Sequence, residues 1–181
     1  TTCINLATVY AQSELKTFLI DMDLRKPKIH RGFDIANEDG LTDVIISDLK
    51  PETAIHKATE YLHVLPVGSS VPFPAEFLLS KKLKAFIDTL IEQYDRIIID
   101  TPPMSAVTDA SIIGKNTDAT VMVIASRKTN IDVTKSAVKA LQETGVNLIG
   151  TILTRVKKSD QRYLNYYYYS SYVYEDKEET K

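Results

Sequence analysis

A single cysteine, Cys3, stands in the 181 residues. An internal disulfide framework is therefore excluded, and a reducing compartment fits. Cys3 lies in a helical pattern and reads as a small buried hydrophobe. No run approaches the ~18–20 apolar residues of a membrane span, and no signal peptide is visible. Glycine is sparse: the six fall at 32, 40, 68, 114, 145 and 150, and none belongs to a Gly-x-x-x-x-Gly-Lys-Ser/Thr phosphate cradle. His30, His56 and His63 have no metal-ligand spacing and no cysteine partners, so no zinc site is proposed. Ser105 and Ser111 have no hydrolase signature around them. With 22 basic against 24 acidic side chains, there is no broad electrostatic footprint for nucleic acid.

What is present is apolar material: 44% of residues are hydrophobic, enough for the core of one domain of ordinary size. The chain opens Thr-Thr without an initiator methionine, which points to a piece of a longer protein.

Two stretches organise the rest. Thr17-Phe18-Leu19-Ile20-Asp21 is an apolar run of strand length that ends in carboxylates at Asp21 and Asp23. Continued as a strand, it would set both on one face. Buried parallel strands read as continuous apolar runs, and ligands of open α/β sheets lie beyond their carboxyl ends. A lone pair of aspartates there could be turn formers. A second copy, Arg96-Ile97-Ile98-Ile99-Asp100-Thr101-Pro102-Pro103, tips the balance to a site for a nucleotide and magnesium.

The periodicity predicts helices over 2–14, 40–46, 75–93 (broken near Ser80), 107–115 and 131–144, the last stopped by Gly145. Leu41, Val44 and Ile45 should face inward. Strands are predicted over 17–22, 62–66, 96–100, 119–124 and 147–153. Strands alternating with helices imply an α/β fold with a mostly parallel sheet and helices on both faces.

The C-terminal region differs. Seven of the ten tyrosines (Tyr163, Tyr166, Tyr167, Tyr168, Tyr169, Tyr172 and Tyr174) fall in twelve residues. A domain over 1–156 and a flexible, low-complexity tail over 157–181 are expected. Extended, the stretch from Lys157 to Tyr174 spans at most ~60 Å, enough to reach its own site or a neighbour's.

Strand–Asp-x-Asp-x-Arg-Lys-Pro, strand–Asp-Thr-Pro-Pro and a terminal tyrosine cluster together are similar to the bacterial protein-tyrosine kinases of capsule and exopolysaccharide synthesis, the BY-kinases, within the MinD/ParA-like P-loop ATPases. The likeness extends to Gly40-Leu41-Thr42, the Pro-rich loop before Glu76 and Thr108-Asp109-Ala110. It implies ATP and Mg2+ as cofactors. Asp21 and Asp23 match Walker A′ and Asp100 matches Walker B, as catalytic carboxylates, with Asp23 and Asp100 holding magnesium mostly through its waters. The division of base and metal roles among the three is open at this point, and Asp21 could also tie adjacent strands together. In the resembling family the phosphate loop sits just before Asn5-Leu6-Ala7. The loop is thus expected before residue 1, with Thr1 reaching the α-phosphate. Thr154, where members often carry asparagine, and Arg155 are candidates near the adenine. Arg25 and Lys26, beside the acidic pair, could touch phosphate or a neighbouring subunit, or be solvated loop charges. Asp109 matches a recurrent family position that would fix the loop, which places Arg25 and Asp109 in support of the site. Phe73 replaces a usual asparagine in the Pro-rich loop.

The resemblance further implies autophosphorylation of the tail between subunits of a ring, a membrane-embedded activator (separate or fused on the N-terminal side), possible further protein substrates, and a place at the inner face of the cell membrane. Each phosphotyrosine adds roughly −1.5 to −2 charges, so heavy phosphorylation should repel the tail from an acidic site. Two other classes compete: a MinD/ParA-like positioning ATPase, and a non-catalytic scaffold for a membrane partner if the phosphate loop is truly absent.

Overall fold

The computed structural model describes residues 2–103 and 107–157. The tail from residue 158 onward with its tyrosines, and Thr1 and Ser105, lie outside the described residues.

The organising strand is β1 (Thr17–Asp21), all five residues buried. It pairs in parallel with β3 (Leu62–Leu65) on one side and β4 (Arg96–Asp100) on the other. A short β2 (His56–Lys57) adds antiparallel to β3, giving the order β2-β3-β1-β4. The period-two alternation of β1 explains the layers. Phe18 and Ile20 enter one apolar cluster and Leu19 the opposite one, so helices are needed on both faces.

On the Leu19 side lies α1 (Thr2–Gln12), which buries Ala7 and Ala11. Next to it is α2 (Ile29–Phe33), anchored by Ile29. On the Phe18 side lie α3 (Leu41–Ile46), α4 (Pro51–Ala54), α5 (Pro74–Leu78) and α6 (Lys81–Ile91). Leu41, Val44 and Ile45 are buried, as their spacing predicts. The predicted break falls at Ser80, whose side chain caps α6 by accepting the Leu83 N–H at 3.2 Å. Gly40, at the start of α3, permits a close backbone approach: a Cβ there would collide with the backbone of Val67 and Gly68.

The remaining strands, β5 (Thr120–Ala125) and β6 (Leu148–Thr154), pair in parallel as a separate two-stranded group. α7 (Val107–Gly114) precedes them, and α8 (Ile131–Glu143) joins them. Asn130 caps α8, accepting from the Asp132 and Val133 N–H groups, and Gly145 follows it at φ +80°. Met122, Ala137, Leu141 and Val146 form their core. The strands are mostly parallel and helices lie on both faces of β1, as expected. The hydrogen-bonded ladder, however, is interrupted between β4 and β5 among the described residues. α2, α4 and β2 are short elements that periodicity did not predict.

Candidate active site

The register of β1 and β4 sets Asp21 opposite Asp100 at the carboxyl ends of adjacent strands. This is the end at which open α/β sheets bind ligands. The two are further tied by the Met22 N–H, which donates to the Asp100 carbonyl at 2.9 Å.

The three predicted carboxylates have different tasks. β1 ends at Asp21, so the one-face relation of a strand does not extend to Asp23. Asp21 is fully buried and accepts three backbone N–H groups: Asp23 at 3.0 Å, and Lys28 and Ile29 at 2.9 Å each. Those bonds fold the chain after β1 into a closed loop and fix the start of α2. Burial pushes the Asp21 carboxyl above its ordinary value. The amides of Ile29, Lys28 and Asp23 oppose that shift, and the nearby Asp100 charge adds to it.

Asp23 and Asp100 are arranged otherwise. Asp23 Oδ1 accepts the Lys26 N–H at 3.0 Å. Asp100 Oδ1 accepts the Cys3 Sγ–H at 3.1 Å. In each, Oδ2 has no hydrogen-bond partner among the described residues, although the Arg25 charge lies within electrostatic reach of Asp23. Among those residues no three His, Cys, Asp or Glu side chains gather as an ion site. Magnesium does not need three: it keeps several waters and takes one or two carboxylates. Two carboxylates with one open oxygen each are a donor set of that kind.

Cys3 departs from its sequence expectation. It is half-buried, and its thiol faces Asp100 rather than apolar side chains alone. Burial, then the Asp100 charge and hydrogen bond, push it up to about 12. Its position also locates α1: the first turn of that helix, where unpaired N–H groups favour anions, lies against the end of β4.

Arg25 and Asp109 meet each other. Arg25 Nε donates to Asp109 Oδ2 at 2.7 Å and Nη2 to Oδ1 at 3.4 Å. Asp109 is buried in the first turn of α7. The pair joins the loop carrying Asp23 to the helix that follows Asp100 in the chain. Asp109 raises the affinity of the exposed Arg25 for its proton, first through the hydrogen bond and then through its charge.

Thr154 and Arg155 sit at the end of β6. Thr154 Oγ1 donates to the Ile124 carbonyl at 3.2 Å, so its hydroxyl serves the β5–β6 pair, while Arg155 is exposed at φ 56°. No contact among the described residues joins either to the carboxylates. Phe73 is exposed at the N-terminus of α5. An apolar cleft between α6 and α7, lined by Leu83, Ile87, Ile99 and Ile112, holds none of these carboxylates. The cysteine was the residue that sequence reasoning missed, because nothing in its neighbours marks a thiol aimed at a residue 97 positions away.

A family model described as an AAA domain matches residues 1–144. The tyrosine-protein kinase YwqD of Bacillus subtilis (strain 168) is 41% identical over 168 residues, which cover 92% of this chain and 71% of that one. The chain belongs to the bacterial tyrosine-kinase family. Solved structures agree. The kinase domain of VpsO is 34% identical with a TM-score of 0.80, over 86% of this chain and 77% of that one. The chimerical protein CapA2B2 is 37% identical with a TM-score of 0.82, over 86% and 70%. Membership gives the two strand-end aspartate motifs and the tyrosine-kinase fold a common explanation.

Proposed function

We propose that the chain is the catalytic part of an ATP-dependent protein-tyrosine kinase that phosphorylates its own C-terminal tyrosines, mainly between subunits, in capsule or exopolysaccharide synthesis. The observation that carries this is a pair of carboxylates at or just past the carboxyl ends of adjacent strands, Asp23 after β1 and Asp100 ending β4. Each is held through one oxygen and open at the other, with Asp100 lying against the first turn of α1. The names of the relatives supply the reaction class.

The phenolic oxygen of a tyrosine attacks the γ-phosphorus of ATP. The bond from that phosphorus to the β,γ-bridging oxygen breaks, ADP leaves, and the phenolic proton passes to a carboxylate of the pair. Phosphoryl transfer needs positioning and charge neutralisation more than covalent help. Asp23 and Asp100 would hold Mg2+, which when bound neutralises the phosphate oxygens. Asp21, with both oxygens on backbone amides, keeps the loop in shape. Arg25 and Asp109 hold that loop against α7. The phosphates require a cradle of N–H groups, and this reading places the cradle immediately before α1, with Thr1 at its end. A strand leading into α1 would find β4 and β5 each with an unpaired edge among the described residues. Thr154 and Arg155 are proposed near the base, and Tyr163 to Tyr174 as acceptors.

A membrane-embedded activator, a ring of copies exchanging tails, other protein substrates and a place at the inner membrane face belong to the same proposal. The balanced charge leaves nucleic acid out of it. No helix among the described residues is long and apolar enough to cross a membrane.

The test uses the full chain with the residues encoded before Thr1, incubated with ATP and Mg2+ and read by mass spectrometry of the tail. Phosphate on the tyrosine cluster, lost in Asp23→Asn and Asp100→Asn, is expected. ATP hydrolysis without phosphotyrosine would instead identify a positioning ATPase. Neither activity would indicate a scaffold.

A further inference from the structure

The two open carboxylates are anchored by different means. For Asp23 the anchor is local: the backbone N–H of Lys26, three residues on, occupies Oδ1. Asp100 has no such turn behind it. Its Oδ1 meets the side chain of Cys3 at 3.1 Å, and among the described residues its carboxylate has no other hydrogen-bond partner. Two acceptors would not approach this closely, so the sulfur carries the hydrogen and donates it. Cys3 is itself fixed by its place in the first turn of α1, which buries Ala7 and Ala11 against the sheet. The Ile99 carbonyl, at 4.0 Å, is a distant second acceptor.

We propose that Cys3 is a positioning residue: its thiol pins Asp100 through Oδ1, leaving Oδ2 as the oxygen offered to the cation, as the Lys26 N–H does for Asp23. The proposal rests on the assignment of these carboxylates to a nucleotide-bound Mg2+. A thiol is a weak donor, so the consequence is a graded loss of cation affinity. It also specifies which replacements work. Serine restores a donor at the same position on α1, whereas alanine leaves Asp100 free to rotate.

The experiment is a Mg2+ titration of fluorescent ADP binding to the full chain carrying its upstream residues, with melting measured on the metal-free proteins. Cys3→Ala should raise the half-saturating Mg2+ concentration about three- to tenfold, the loss of one modest hydrogen bond, and Cys3→Ser should stay within about twofold of the parent. Metal-free melting temperatures of all three should coincide. A Cys3→Ala protein with the parent's Mg2+ dependence would overturn the role of Cys3 alone. So would a Cys3→Ser protein no better than Cys3→Ala. A parent whose ADP binding ignores Mg2+ would overturn both this role and the functional assignment beneath it.

Discussion

The half of the molecule built on β1 and the half built on β5 and β6 use similar strand sequences to different effect. Thr17-Phe18-Leu19-Ile20-Asp21 is buried at every position, whereas Thr120-Val121-Met122-Val123-Ile124-Ala125 buries only Met122. Val121, Val123, Ile149, Ile152 and Leu153 remain exposed among the described residues. Among the described residues the difference is coverage: β1 has a strand on each side and helices on each face, while the core of β5 and β6 is formed with α8 on one face. Apolar composition makes a strand; neighbours make it a core. The carboxylates sit at the ends of β1 and β4, where Asp21 has both oxygens on backbone amides while Asp23 and Asp100 are each held through one.

The contrast is sharpest in unfolding. Leu19→Ala, at a position with 0% exposure, should cost about 2–5 kcal/mol in urea denaturation. Val123→Ala, at 48% exposure, should cost under about 1 kcal/mol. Equal losses would break the comparison.

The link between the Asp23 loop and α7 comes next. Asp109→Asn should leave stability nearly unchanged, because its partner Arg25 is exposed and can return to water. It should lower tyrosine phosphorylation between about 10- and 100-fold by loosening the carboxylate geometry. Unchanged activity would assign the pair to surface chemistry.

Helix caps should ignore the division altogether. Ser80→Ala at α6 and Asn130→Ala at α8 remove the same kind of bond, so each should cost about 1 kcal/mol. A cap with no value in the β5–β6 half would mean that α8 is not cooperative with the rest.

The smallest effect is a pH dependence. His63 bonds the Tyr94 hydroxyl through Nδ1 at 2.6 Å. Burial, with a contribution from Lys57, lowers its pKa below the ordinary 6.5. A lowered folded value favours the neutral ring. His63 therefore contributes stability that is present above pH 6.5 and is lost as pH falls through the lower folded value. His63→Gln should flatten the melting temperature across that interval; an unaltered slope would assign the pH dependence elsewhere.

Much of the enclosed half was legible in sequence. Continuous apolar runs marked β1 and β4, the three-and-four spacing put Leu41, Val44 and Ile45 inside, and Ser80 and Gly145 marked helix limits. The short elements were not legible, because tertiary contacts form them. α2 begins where the Asp21 carboxylate collects the Lys28 and Ile29 amides, and β2 exists only through its two-residue pairing with β3. In the site, two strand-end motifs mark Asp21, Asp23 and Asp100 in the sequence, and the register sets Asp21 opposite Asp100. What spacing does not carry is the hydrogen bonding: both Asp21 oxygens accept backbone N–H groups, while Asp23 and Asp100 each accept through one oxygen among the described residues. The pairing of Arg25 with Asp109 spans 84 residues, beyond the reach of any local pattern.

That division of labour is best tested by Asp21→Asn, Asp23→Asn and Asp100→Asn, each measured for melting temperature and for Mg2+-dependent transfer of phosphate to the tail tyrosines. Asp21→Asn should lower the melting temperature by several degrees or more, since one amide cannot accept as a carboxylate does from three N–H groups. Asp23→Asn and Asp100→Asn should melt as the parent does and transfer nothing. An Asp21→Asn protein that melts normally yet cannot transfer phosphate, or an Asp100→Asn protein that transfers at the parent's rate, would contradict the account.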